Sequence, residues 1–198
     1  METTAVVLAG GRSSRMGRDK LMLDAGGRTL LERVVSRFSE EFDELYLSVA
    51  EAEKYPEIAA RRVVDIYRGA GPLSGLHAAL KSIPGDGVFL VAADLPYACP
   101  KAAMRIIELG GDKDVCIIRL PDGRIEPLFG YYRKTLLPRC EEAITSGDYS
   151  MSGIIQNADT KYIAPDMLGE LWDENLILNI NYPEDYNKAA LEFLNTRC

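Results

Sequence analysis

The chain has 198 residues, 47% of them hydrophobic, and a formal net charge of −7. That is enough apolar material for one sizeable core and a single domain over 1–198. The acidic balance excludes general nucleic-acid binding, which needs a basic footprint, and no apolar run approaches the roughly 18 residues of a membrane helix.

Thr4 to Leu8 reads as a short buried strand, an apolar and β-branched run that ends at Gly10 and Gly11. No charged-then-apolar leader precedes it, so a cytoplasmic chain without a membrane partner is expected. The two glycines let the backbone turn sharply and lie against a ligand, and successive turn amides form an anion-binding nest. Arg12, Arg15, Arg18 and Lys20 follow within nine residues, opposed only by Asp19. Arginine grips phosphate oxygens bidentately, so this loop suits a nucleoside triphosphate; a surface turn with a solvated basic stretch is the alternative. Spacing excludes two other phosphate loops. Gly17 and Lys20 are not adjacent, as a P-loop requires, and Arg15 fills the last glycine position of the dinucleotide fingerprint.

Thr29-Leu30-Leu31-Glu32 is a capping-box pattern, with Leu30, Val34, Val35 and Phe38 forming an apolar face, so the first helix is expected near Thr29 to Phe38. Glu44 to Ala50 reads as the second strand, and Arg62 to Val64, ending at Asp65, as the third. Gly71-Pro72 opens a helix through Ile83, proline suiting its first turn. Val88 to Ala92 is the most hydrophobic strand and is expected at the centre of the sheet. A helix over Pro100 to Leu109, a strand over Val115 to Ile118, a strand over Pro127 to Tyr132 and a helix over Thr135 to Ser146 follow. Leu176 to Ile180 reads as a strand and Pro183 to Asn195 as the last helix. The alternation predicts a three-layer α/β/α, Rossmann-like domain with a mostly parallel sheet. Cys99, Cys116, Cys140 and Cys198 form no Cys-x-x-Cys pair, so four reduced structural thiols are expected. The sole histidine, His77, falls within a helix and is read as structural.

In open parallel sheets, ligands sit at the carboxyl ends of strands. The glycine loop, Asp65 and Asp94 all fall at such ends. Asp94 is placed for a divalent cation, since magnesium takes one or two carboxylates plus phosphate oxygens and water. Its alternative role is a turn cap before Pro96. Asp65 has the alternative of a solvated loop acid, Gly71-Pro72 that of a plain helix start, and Asn181 that of an N-cap for the last helix.

Leu8-Ala9-Gly10-Gly11, Arg15-Met16-Gly17 and Asp19-Lys20 together resemble the signature loop of nucleotidyltransferases that activate sugar phosphates, isoprenoid precursors and the molybdenum cofactor. The compact ending Met-Gly-x-Asp-Lys is most similar to the molybdenum cofactor guanylyltransferase, or MobA-like, family. The resemblance extends to Gly71-Pro72-Leu73-Ser74-Gly75, to Asp94-Leu95-Pro96 and to Asn179-Ile180-Asn181. It implies the nucleotide-diphospho-sugar transferase type of fold, with a nucleotide half near 1–110 and an acceptor half near 111–198. It also implies transfer of GMP from GTP to the phosphate of molybdopterin, with pyrophosphate released, Mg2+ as cofactor and transient contact with other cofactor-pathway proteins. Under it, Leu8, Ala9, Gly10 and Gly11 hold base and ribose, Arg15 and Lys20 neutralise the triphosphate, Asp65 contacts the nucleotide and Asp94 holds the metal. Gly71, Pro72, Leu73, Gly75, Asn179 and Asn181 line the same site. The chain departs from the family after the second strand, where Leu47-Ser48-Val49-Ala50-Glu51 lacks the asparagine that often helps hold the nucleotide. A cytidylyltransferase or sugar-phosphate nucleotidyltransferase of the same fold therefore stays open. So does a non-catalytic nucleotide-binding regulatory protein, although the joint presence of Lys20 and Asp94 disfavours it.

Overall fold

In the computed structural model, residues 2–10, 19–24 and 27–180 are described. Seven strands make one sheet: β1 (Thr4–Leu8), β2 (Glu44–Val49), β3 (Arg61–Val64), β4 (Gly87–Ala92), β5 (Val115–Arg119), β6 (Ile125–Arg133) and β7 (Thr160–Ile163). Their spatial order is β3-β2-β1-β4-β6-β5-β7. β6 runs antiparallel to both neighbours and the other pairings are parallel. The sheet is thus mostly parallel, and β4 stands at its centre, as its continuous apolar run predicts.

Residue alternation along the strands feeds two cores. Ala5, Val7, Leu47, Val49, Phe89 and Val91 face one side, where α1 (Leu30–Ser39) and α3 (Pro100–Gly110) pack. Val6, Leu8, Val63, Val88 and Leu90 face the other, covered by α2 (Pro72–Ser82), α4 (Leu137–Ser146) and α5 (Met151–Gln156). A strand buried on both faces reads as an unbroken apolar stretch, which is why β1 and β4 do. On α1 the stripe Leu31, Val34, Val35 and Phe38 is buried. Each such side chain contributes about 1.5–3 kcal/mol relative to exposure. Phe38 also stacks on Phe42 and Phe89, 5.6 and 6.4 Å between centroids.

Several expectations are corrected. Leu176 to Ile180 is not a strand: Asp173 caps a 3-10 turn at Glu174–Ile177, its carboxylate accepting from the Asn175 amide at 2.7 Å. The fourth helix starts at Leu137, after a separate 3-10 turn at Lys134–Leu136, because Pro138 belongs in the first turn of a helix rather than its middle. Two elements, α5 and β7, occupy stretches that carry no strong periodic signal. Cys116 and Cys140 are free buried thiols, but Cys99 is disulfide-bonded, contrary to the expectation of four reduced cysteines. The helix expected over 183–195 lies outside the described residues. No helix among the described residues is long and apolar enough to cross a membrane.

Candidate functional site

β1 ends between two parallel neighbours that fix where its loop departs. The Leu8 carbonyl accepts from the Ala93 amide and the Ala9 amide donates to the Ser48 carbonyl, both at 3.0 Å. Those groups are therefore committed to the sheet, and Gly10 is the first residue free of it. Gly11 and Arg15 lie outside the described residues. The chain is described again at Asp19, whose side chain accepts from the Leu21 amide at 3.2 Å and so caps a 3-10 turn at Lys20–Met22.

That turn aims Lys20 across the mouth of the sheet. Its ammonium donates to Asp94 Oδ2 at 2.7 Å and to the Ile180 carbonyl at 3.1 Å. The Ile180 amide in turn donates to the Asp94 carbonyl at 3.0 Å. Three remote segments thus meet at one point, and both charged side chains keep about a fifth of their surface exposed, 20% for Lys20 and 22% for Asp94. Among the described residues the Asp94 carboxylate is held by Lys20 and not by a turn amide, which leaves the turn-cap alternative without a bond. Arg37 of α1 steadies the same turn by donating to the Pro96 carbonyl at 3.0 Å.

On the other side of β1, over β2 and β3, a cleft of about 670 Å³ opens. That is within the usual range for small-molecule sites. Its walls include Leu8, Gly10, Ser48, Asp65, Gly71 and Gly75. Gly71 caps α2 with φ of 60°, a conformation that favours glycine. Gly75 lets α2 approach the strands: a Cβ there would lie 2.5 Å from Leu8 Cδ2 and 2.6 Å from Ser48 Oγ. Pro72 also lines the cleft, whereas Leu73 is fully buried in the core behind it. Asp65 is half-buried, and burial pushes its carboxyl up to about 6 while a hydrogen bond from Ser48 pulls the other way. It is a cleft wall rather than a solvated loop acid. Asn179 is partly buried beside Ile180, and Asn181 lies outside the described residues. His77 is wholly buried, edge-on to Tyr67 at 4.9 Å, and structural as expected.

Some participants escaped sequence reasoning. Ser48, Glu51, Lys54 and Arg68 also line the cleft. Glu126 starts the far side: its carboxyl is pushed up by burial and by the charge of Asp94, against a bond from the Leu128 amide at 3.0 Å. It reaches this edge because pairing with β5 jumps from Ile117↔Gly130 to Ile118↔Glu126, a bulge around Pro127. A lone acid in a strand gives no such signal in sequence.

The family model of the MobA-like NTP transferase domain matches residues 5–165. A relative from Pelotomaculum thermopropionicum, named a probable molybdenum cofactor guanylyltransferase, is 33% identical over all of this chain and 96% of its own length. Molybdopterin-guanine dinucleotide biosynthesis protein A from Archaeoglobus fulgidus superposes with a TM-score of 0.83 at 23% identity, covering 98% of this chain and 100% of that one. A Mycobacterium tuberculosis protein solved as a complex with manganese superposes with a TM-score of 0.66 at 21% identity, covering 96% and 99%. The two solved structures speak for the fold.

Proposed function

The chain belongs to the MobA-like NTP transferase family and is a nucleotidyltransferase, and from that premise we propose that it transfers GMP from GTP to the phosphate of molybdopterin, releasing pyrophosphate, in the cytoplasm. The observation that carries this is the bond between Lys20, which closes the glycine loop, and Asp94, which follows the central strand. An oxygen of the acceptor phosphate attacks the α-phosphorus in line, and the bond from that phosphorus to the pyrophosphate oxygen breaks. Such chemistry asks the protein mainly for positioning and charge neutralisation.

The cleft over β2 and β3 receives the nucleoside, with Gly10, Asp65, Gly71 and Gly75 against it. Lys20, with Arg15, offsets the triphosphate charge. The acceptor is taken by the half of the chain near 111–198. Magnesium takes few protein carboxylates and several oxygens from substrate and water. The donor set fits that habit. Asp94 offers one partly exposed carboxylate, and no group of three or more His, Cys, Asp or Glu able to hold a metal stands among the described residues. Bound at Asp94, the ion would supply charge neutralisation for the phosphates.

The experiment is calorimetric titration with GTP, CTP, ATP and UTP, with and without magnesium, followed by pyrophosphate release in the presence of molybdopterin. GTP selectivity that strengthens with magnesium, and release that depends on the acceptor, are expected. Selectivity for CTP or UTP would move the chain to the cytidylyl- or sugar-phosphate transferases. Binding without release would make it a nucleotide-binding regulator.

A further inference from the structure

Tyr55 is the non-glycine residue with positive φ among the described residues, at 55°. Residues with a Cβ avoid that conformation unless their surroundings impose it. One guanidinium holds much of the backbone around it. Arg62 donates to the carbonyls of Lys54 at 3.3 Å, Tyr55 at 2.5 Å, Ile58 at 3.2 Å and Ala60 at 3.1 Å. It gathers the turn between β2 and β3 around one planar fork.

The imposed conformation delivers the buried Tyr55 hydroxyl to two places. It donates to Asp19 Oδ2 at 2.7 Å and lies 3.4 Å from the Ala9 carbonyl. Ala9 is the last residue before the glycine-rich loop and Asp19 the first after it. Asp19 also caps the turn that carries Lys20. Burial and the neighbouring Asp19 charge push the Tyr55 hydroxyl well above its ordinary range, so it remains a donor throughout the working pH.

We propose that Tyr55 is a positioning residue: its hydroxyl holds the Asp19 carboxylate that caps the Lys20 turn, and so sets Lys20 for the triphosphate. This rests on the nucleotide reading of the cleft. Holding that turn before a ligand arrives lowers the entropy lost in ordering Lys20 on binding. The same turn places Lys54 in the cleft wall, its ammonium 5.3 Å from the Tyr55 ring centroid.

The test is Tyr55→Phe, which keeps the ring and removes the hydroxyl, with Asp19→Ala and the double variant beside it. Three quantities are read on the full chain: affinity for GTP with magnesium, hydrogen-exchange protection of the Leu21 and Met22 amides that bond to Asp19, and thermal stability. Loss of a hydrogen bond to a charged group is worth about ten-fold or more. Tyr55→Phe is expected to weaken GTP binding by about that factor and to speed exchange of those amides, which reports local opening of the turn, with folding retained. The double variant should lose no more affinity than Asp19→Ala alone, because both changes cut one tie. Unchanged affinity and amide exchange in Tyr55→Phe, or losses that multiply in the double variant, would overturn the proposal. If the unmodified protein bound no nucleotide, the functional reading would fail by itself. The exchange arm would then still decide whether Tyr55 holds the Lys20 turn.

Discussion

Asp94 is a single carboxylate that faces Lys20 in the structure and, in the proposed reaction, a metal ion and phosphates. Asp94→Ala should lower kcat by about 10²–10³-fold, the usual loss when one electrostatic stabiliser of a transition state is removed. The variant should keep its far-UV circular dichroism. Lys20→Ala should lower turnover through the same interaction, and steady-state constants equal to wild type would make it a mere surface charge. Asp65 calls for a different measurement. Its carboxyl sits near 6 in the fold against about 4 in an unfolded chain. The folded protein therefore binds that proton more tightly than the unfolded chain does. This group favours the fold below about pH 4, and that contribution is lost as pH rises through about 6. Binding runs the other way, since only the carboxylate is a full acceptor for nucleotide N–H and O–H groups. GTP affinity should rise between pH 5 and 7, and Asp65→Asn should flatten both profiles.

Among the elements, α1 links stability to the site most directly. The Thr29 hydroxyl accepts from the Glu32 amide at 3.1 Å, and Glu32 accepts from the Thr29 amide at 2.7 Å, a complete capping box. Thr29→Ala should cost about 1 kcal/mol in urea unfolding at neutral pH. The bonds from Thr29 lower the Glu32 carboxyl below its ordinary value. Their contribution is therefore present above the unfolded value and lost as pH falls through the folded one. The penalty of Thr29→Ala should shrink in acid accordingly. The other end of α1 carries Arg37 to the Pro96 carbonyl, so the same helix supports the turn after Asp94. β6 contributes by direction. The parallel strands bring their exits to the ligand edge, whereas an antiparallel strand brings its entrance, and Glu126 arrives there for that reason.

Over the whole molecule, what was legible in sequence is what local physics decides. The capping box at Thr29, the glycine stop after β1 and the apolar run of β4 each state their role within a few residues. Leu176, Leu178 and Ile180 alternate like a strand, but Asp173 captures the Asn175 amide and leaves Leu178 46% exposed. β7 is a four-residue edge strand with one buried side chain, too little pattern to read. Glu126 and Tyr55 acquire their meaning only through partners far along the chain, and no local window contains those. The junction at Ile180 carries a consequence for synthesis. A growing chain exposes its amino-terminal part first. Lys20 and Asp94 are therefore both available while the backbone that joins them, at Ile180, is still to be made. The ribosome delivers the cleft walls and the Lys20–Asp94 pair early and their fastening late, so this junction is completed only after residue 180 has emerged.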